Sequence, residues 1–154
     1  MDLSDLITPA SIIPQLKATS KKQALQELAR LAASVTGLEQ REIFDVLLER
    51  ERLGTTGVGG GIAIPHGKLG KLRRLHGCFA RAEKGVAYDA VDDEPVDLIF
   101  LLLAPETAGA DHLKALARVS RLLRDKTICN KLRGCENADA VYALLVGPPN
   151  SDAA

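Results

Sequence analysis

The chain has 154 residues, which is enough for one domain with a substantial hydrophobic core. Its 20 basic and 20 acidic residues balance, which argues against nucleic-acid binding and against a polybasic membrane surface. Aromatic residues make up 3% and tryptophan is absent, so we expect a core built from Leu, Ile, Val and Ala.

The N-terminus shows no targeting segment. Residues 1–5 are acidic and lack the basic and long apolar regions of a signal peptide. The longest apolar run, residues 98–104, is far too short to span a bilayer. Cys78, Cys129 and Cys135 do not have zinc-type spacing, and we interpret them as reduced thiols. These features predict a cytoplasmic protein without direct membrane insertion.

One short strand and two helices are predicted before residue 54. The apolar segment 12–16 can form a strand despite its proline. A capping-box pattern at Ser20 and apolar residues at helical spacing up to Gly37 predict the first helix. A second helix is expected at about 39–53, and its end brings Arg50 close to a glycine-rich loop.

That loop and the residues after it form the most unusual stretch of the chain. Five glycines fall within residues 54–61, which indicates unusual backbone angles or a close backbone approach. A strand at 62–64 is expected to end at Pro65 and His66. Successive N–H groups in such loops can hold an anion, and an imidazole can accept a phosphoryl group. An ordinary turn followed by a loop histidine is the alternative, and the stretch matches no nucleotide-binding pattern.

The second half of the chain alternates strands with helices. Strands are predicted at 75–81 and 96–103, and the second is so apolar that we expect it to be central and covered on both faces. Asp111 is the predicted N-cap of the next helix, which places His112 in the first turn. Further helices are expected at 126–133 and after Asn137.

The predicted fold class is therefore α/β (α+β): a single domain with a mixed central β-sheet flanked by helices on both faces. We expect this domain to span residues 1–147 and a flexible C-terminal tail to span 148–154.

Two of the three histidines are predicted to meet at one edge of this sheet. His66 and His112 each follow a strand, and sites in such sheets gather beyond the carboxyl ends of the strands. With Arg50 nearby, His66 could act as a phosphoryl acceptor while His112 and Arg50 stabilise the phosphate oxygens. His76 lies within a strand, and we interpret it as structural.

Residues 50–68, with their Ile64-Pro65-His66-Gly67 segment, resemble the signature of the fructose/mannitol-type enzyme IIA domains. These belong to the bacterial phosphoenolpyruvate:sugar phosphotransferase system. The resemblance continues through 95–105 and 112–117 and covers nearly the whole chain.

The resemblance implies that His66 is phosphorylated by a histidine phosphocarrier protein. It implies active-site roles for His112 and Arg50, and phosphate-binding roles for Thr55, Thr56 and Gly67. No cofactor or metal is expected, because donor and acceptor are both imidazoles.

Two positions depart from the family's pattern. Thr55 stands where the family usually has Ser, which preserves the hydroxyl. Gly60 stands where it usually has Asn, and we expect this change to remove a polar side chain beside the site.

Within the family, the chain is most similar to the nitrogen-regulatory enzyme IIA, a free-standing type. Residues 126–129 and 132–133 carry part of this likeness. The resemblance implies a regulator whose targets are other proteins, such as a potassium transporter or a sensor kinase.

Three other functions are consistent with the sequence. The chain could be a detached enzyme IIA that donates phosphoryl groups to a fructose/mannitol-type sugar permease. It could be a non-catalytic binding module with structural histidines. A metal hydrolase using His66, His76 and His112 is the third, although no pair of them has a usual ligand spacing.

Overall fold

The computed structural model describes residues 2–147, so the predicted tail at 148–154 lies outside the described residues. Short 3-10 helices at Leu3–Asp5 and Pro9–Ser11 precede the first strand. The main elements along this part of the chain are β1 (Ile12–Leu16), α1 (Lys21–Thr36), α2 (Gln40–Arg52), β2 (Gly57–Gly59), β3 (Ile62–Ala63), β4 (His66–Lys68), β5 (His76–Val86), β6 (Val96–Ala104), α3 (Ala110–Leu123), α4 (Lys126–Arg133) and α5 (Ala138–Val146).

Strand β6 is the centre of the sheet. The strand order is β1-β5-β6-β3-β2, and β4 pairs with β6 beyond the end of β3. β3 and β4 run parallel to β6, whereas β5 runs antiparallel to it, so the sheet is mixed as predicted. Every residue of β6 except Asp97 is buried, which confirms the prediction of a central strand covered on both faces.

Helices cover the sheet on both faces because the side chains of β6 alternate between two apolar cores. Leu101 and Leu103 belong to the core that α1 and α2 cover. Phe100 and Leu102 belong to the opposite core, which α3, α4 and α5 cover. Since successive residues of a strand point to opposite faces, one apolar strand supplies both cores. The predicted arrangement of layers is confirmed.

The starts of α1 and α3 show one helix cap that local signals predicted correctly and one that they did not. The Ser20 side chain accepts the backbone N–H of Gln23, as a helix cap should. The Gln23 side chain, however, accepts the N–H of Thr19 and not that of Ser20. The prediction of Asp111 as N-cap is wrong, because α3 begins at Ala110. Gly109 holds the cap position with φ of 54°, a left-handed conformation that favours glycine. His112 is still in the first turn.

The glycine-rich segment forms a β-hairpin, which was not predicted. β2 pairs antiparallel with β3 through the connection Gly60-Gly61, and Gly59 at the end of β2, Gly60 and Gly61 have φ of 101°, 68° and 82°. These positive values explain the glycine content of the turn. Both backbone groups of Gly60 are bound, because its N–H donates to Asp92 and its carbonyl accepts from Arg133.

This hairpin turn and His66 lie beside opposite ends of β6. The carbonyl of Gly61 accepts the N–H groups of Asp97 and Leu98, whereas His66 pairs with Leu102. Leu98 and Leu102 are four steps apart along β6, a distance of roughly 13 Å. The expectation that Gly60 lies beside the site is therefore wrong. His66 also begins β4 and does not end the preceding strand, because Pro65 interrupts the chain between β3 and β4.

Candidate functional site

A close approach of α2 to β4 sets the geometry around His66. A Cβ atom at Gly67 would lie 2.5 Å from Cγ1 of Val46, so the helix can pack against this strand only because residue 67 has no side chain. Val46 and Arg50 are one helical turn apart and share a face of α2. The packing at Gly67 therefore places the Arg50 side chain next to His66.

Two hydrogen bonds fix the tautomer of the His66 imidazole. Its Nδ1 lies 2.9 Å from the carbonyl oxygen of Ile64, which can only accept, so Nδ1 carries the proton. Its Nε2 lies 3.4 Å from Nε of Arg50, which can only donate, so Nε2 presents a lone pair. The second contact is long for a hydrogen bond and engages that lone pair weakly. The imidazole nitrogen of His66 that presents a lone pair is therefore Nε2.

Arg50 is held at a second point. Its Nη1 donates to the carbonyl of Gly54 at 2.9 Å. Gly54 follows Leu53, the C-cap of α2, and donates its own N–H to the carbonyl of Glu51. The guanidinium thus spans from the end of its own helix to the imidazole of His66, and a planar group with several donors is suited to bind phosphate oxygens there.

His112 completes the group from the first turn of α3. The ring centroids of His66 and His112 are 5.7 Å apart, and the rings are tilted by 58°. His112 is only 7% exposed, and its Nδ1 has no hydrogen-bond partner among the described residues. Burial lowers its pKa, and the nearby imidazole of His66 and the ammonium of Lys68 lower it further. A neutral imidazole with an unpaired nitrogen therefore faces His66.

An open depression of about 390 Å³ gives solvent access to these three side chains. Leu53 at its rim is 82% exposed, although it is apolar. The lining residues combine apolar and charged side chains: Val46, Glu49, Arg50, Leu53, His66, Gly67, Lys68 and His112. His66 is half-buried and lines this depression, so its side chain can be approached by a group on another molecule.

The structure brings one of the three predicted phosphate-binding residues to this depression. Gly67 lines it, through the packing described above. The hydroxyl of Thr55 accepts the N–H of Gly57 at 3.1 Å. Thr56 is buried, and its hydroxyl bonds to Glu51 and to the phenol of Tyr88. Neither threonine lines the depression, so we do not include them in the reacting group.

Sequence reasoning missed Lys68 as a lining residue and Glu51 as a buried carboxylate. Lys68 lies two residues from His66 in β4 and therefore on the same face of that strand, which is a usable signal. Glu51 lies in the last turn of α2, where acidic residues are ordinarily solvated, and nothing in the sequence marks it as buried.

His76 lies outside the depression, at the start of β5. It is half-buried, and burial and the neighbouring Arg74 lower its pKa. Within residues 2–147, no three His, Cys, Asp or Glu side chains are placed to hold a metal ion together. In the same range, no helix combines the length and apolar character needed to cross a bilayer.

Comparisons with known proteins agree on one family. Residues 5–147 match the model described as phosphoenolpyruvate-dependent sugar phosphotransferase system, EIIA 2. The chain is 58% identical over 149 residues to a nitrogen regulatory protein of Bradyrhizobium diazoefficiens, covering 97% of each chain. It is 38% identical to a PTS system fructose-specific EIIA component of Haloferax volcanii, covering 94% of this chain and 97% of that one.

A solved structure extends the agreement to the fold. The nitrogen regulatory protein IIA-Ntr of Neisseria meningitidis matches with a TM-score of 0.88 at 34% identity, over 93% of this chain and 98% of that chain. Sequence and backbone therefore lead to the same assignment that residues 50–68 predicted. The chain belongs to the EIIA 2 family of the phosphoenolpyruvate-dependent sugar phosphotransferase system, as an EIIA of the nitrogen-regulatory type.

Proposed function

We propose that this protein is a phosphoryl-accepting regulator, phosphorylated on Nε2 of His66 by a histidine phosphocarrier protein. The observation that carries the proposal is the tautomer of His66. Nδ1 of His66 donates its proton to the carbonyl of Ile64, which leaves the lone pair on Nε2 beside Arg50, and His66 lines the open depression. We also propose that the protein is cytoplasmic, together with the phosphocarrier protein that donates the phosphoryl group.

The transfer needs only groups that the site holds. The lone pair of Nε2 attacks the phosphorus atom of the donor's phosphohistidine in line, and the bond from phosphorus to the donor imidazole breaks as the new P–N bond forms. The proton stays on Nδ1 of His66 throughout and remains donated to the carbonyl oxygen of Ile64. Arg50 leaves its weak contact with Nε2 and, together with His112, stabilises the charge on the phosphoryl oxygens.

Phosphorylation changes the charge of a neutral molecule. The chain has a formal net charge of zero. A phosphoryl group adds about 1.5 to 2 negative charges, judged by other phosphorylated side chains. This charge arises inside the depression beside Arg50 and Lys68, where a docking protein meets it directly. We infer that partner proteins distinguish the two states there, with a potassium transporter or a sensor kinase as the proposed kind of target.

The test is to measure the intact mass of the protein after incubation with phosphoenolpyruvate, enzyme I and the phosphocarrier protein. We expect one acid-labile phosphoryl group on the wild type and on His76→Ala, and none on His66→Ala. Nitrogen-15 NMR of the imidazole then identifies the modified atom, which we expect to be Nε2. Stoichiometric phosphorylation of His66→Ala would contradict the assignment.

One comparison favours a second function, in which the protein passes phosphoryl groups to a sugar-specific enzyme IIB. The Haloferax volcanii relative is a fructose-specific EIIA component and shares 38% identity with this chain. A chase of the phosphorylated protein with a fructose-type enzyme IIB separates the two functions. Transfer to IIB within seconds supports the sugar-transport function, whereas retention of the phosphoryl group supports the regulatory one.

A further inference from the structure

A buried carboxylate lies directly behind the site, one residue after Arg50. Glu51 accepts the backbone N–H of Thr56 at 3.1 Å and the ammonium of Lys21 at 3.1 Å. It also accepts the hydroxyl of Thr56, which lies 3.0 Å from the phenol oxygen of Tyr88. Burying a carboxylate is unfavourable unless its partners are supplied, and Lys21 and the two polar groups of Thr56 supply them here.

The direction of the hydrogen bonds in this cluster follows from the chemistry of its members. A carboxylate can only accept, so the Thr56 hydroxyl donates to Glu51 and must accept from Tyr88. Burial and the charge of Glu51 raise the pKa of Tyr88, so its phenol keeps the proton that it donates. Lys21 also contacts Tyr88, since its Nζ lies over the Tyr88 ring, 5.0 Å from the ring centroid, which is within cation–π range.

The cluster is connected to the reacting atoms through one short segment. Gly54 donates its N–H to the carbonyl of Glu51, and Thr56 donates its N–H to the carboxylate of Glu51. The segment 54–56 is therefore attached at both ends to one residue. The carbonyl of Gly54, held in this way, accepts from Nη1 of Arg50 and leaves Nε of Arg50 directed at His66.

We propose that Glu51, Thr56, Tyr88 and Lys21 form a positioning network that holds the Gly54 carbonyl, and through it the Arg50 guanidinium, at the phosphoryl-acceptor nitrogen of His66. The inference rests on the proposed function. None of the four residues lines the depression, so they act through Arg50 and not on the phosphoryl group itself. This gives Thr56 a role different from the phosphate binding that the sequence predicted.

The experiment compares Thr56→Val with Thr56→Ser. Valine has the shape of threonine without the hydroxyl, whereas serine keeps the hydroxyl, so the pair isolates the bonds to Glu51 and Tyr88. The initial rate of transfer from the phosphorylated phosphocarrier protein is measured over a range of donor concentrations. We expect Thr56→Val to lower the saturating rate about tenfold, with the half-saturating donor concentration unchanged, and Thr56→Ser to stay within about twofold of wild type.

The same pair in an Arg50→Ala background tests whether the network acts through Arg50. We expect Thr56→Val and Thr56→Ser to have equal rates there, because the group being positioned is gone. A valine effect of full size in that background, or none in the wild-type background, overturns the proposal. Tyr88→Phe repeats the test with a smaller change if Thr56→Val does not fold, as judged by urea unfolding.

Hydrogen exchange at the Nε–H of Arg50, followed by NMR in the unphosphorylated protein, provides a reading that needs no phosphoryl transfer. We expect Thr56→Val to accelerate this exchange about tenfold and Thr56→Ser to leave it near the wild-type rate. Absence of phosphorylation on wild-type His66 would contradict the proposed function, whereas equal exchange in both variants would contradict the positioning network.

Discussion

Arg50 makes two hydrogen bonds at once that a lysine cannot reproduce. Its Nε–H reaches Nε2 of His66, and its Nη1 reaches the carbonyl of Gly54. Lysine keeps the charge but lacks the planar fork. We expect Arg50→Lys to lower the single-turnover transfer rate about tenfold and Arg50→Gln about 100-fold, since removing one transition-state donor has effects of this order.

Arg52→Lys is the matched control for Arg50. Arg52 is exposed and pairs with Glu49, and among the described residues its side chain makes no hydrogen bond to His66. Its rate should equal that of the wild type. A wild-type rate for Arg50→Gln would show that the guanidinium takes no part in the transfer.

His112 links the site to the pH dependence of stability. Its pKa is lowered in the folded protein, chiefly by burial, from the ordinary value of 6.5. As the pH falls below that value, the unfolded chain therefore binds a proton that the folded chain does not, and the free energy of unfolding decreases. His76 acts in the same direction, because burial lowers its pKa as well.

We therefore expect His112→Asn to lose less stability than the wild type between about pH 7.5 and about pH 5.5, measured by urea unfolding. His76→Asn should also reduce the loss, and the double variant should reduce it further. An equal loss in His112→Asn and in the wild type would contradict the lowered pKa of His112.

At the scale of elements, the close contact between Gly67 of β4 and Val46 of α2 sets the distance between the helix and the strand. A Cβ there would lie 2.5 Å from Cγ1 of Val46, and overpacking of this kind costs about 1–3 kcal/mol. We expect Gly67→Ala to be destabilised by that amount and to transfer phosphate more slowly, because α2 and Arg50 move away from His66. Urea unfolding and the single-turnover rate measure the two effects.

A second substitution separates this steric explanation from a general loss of backbone freedom. Val46→Ala removes the methyl group that the new Cβ would meet. The double variant Gly67→Ala, Val46→Ala should then be no less stable than Val46→Ala alone, to within about 0.5 kcal/mol. Additive losses would instead show that residue 67 needs glycine for its own backbone.

Gly60 provides the opposite case, a glycine that matters for its conformation and not for space. Its φ is 68°, and a Cβ there would have no atom within 4 Å. Asn tolerates this left-handed region better than a β-branched residue does. We expect Gly60→Asn to cost under about 1 kcal/mol and Gly60→Val about 1–2 kcal/mol in unfolding free energy.

Neither Gly60 variant should change the transfer rate, because the hairpin turn and His66 lie beside opposite ends of β6. A slower transfer in Gly60→Asn at unchanged stability would show that the turn communicates with the site. We therefore expect the replacement of the family's usual Asn by Gly60 to affect the stability of the turn and not the transfer.

The elements that sequence predicted correctly are those with a long repeating pattern. α1 and β6 have many buried positions at helical or strand spacing, so their limits were predicted to within about two residues. β2 and β4 have three residues each and are rich in glycine, so they offer no alternation to detect. The shift of the α3 N-cap by two residues, from Asp111 to Gly109, came from the left-handed conformation of Gly109, which no periodicity reveals.

Across the whole molecule, local motifs predicted the reacting residues but not what supports them. His66, His112 and Arg50 lie beside recognisable signals and are brought together as expected. The carboxylate of Glu51 is paired with Lys21, thirty residues earlier, and is connected to Tyr88, which lies in another part of the chain. Contacts between distant segments depend on the register of the sheet and the packing of α1 on α2, which a single sequence does not specify.

Leu53 is an apolar side chain that the fold leaves 82% exposed at the rim of the depression. A docked phosphocarrier protein would cover it and gain from its burial. We expect Leu53→Ser to raise the half-saturating donor concentration about tenfold at an unchanged saturating rate, measured as initial transfer rate against donor concentration.

Val91 is the matched control, because it is 69% exposed, and its N–H donates to Gly57 at the hairpin, away from His66. Val91→Ser should leave both parameters at wild-type values, and both variants should unfold at the wild-type urea concentration. A lower saturating rate in Leu53→Ser would mean that Leu53 shapes the reacting group itself, and equal behaviour of the two variants would mean that the donor docks elsewhere.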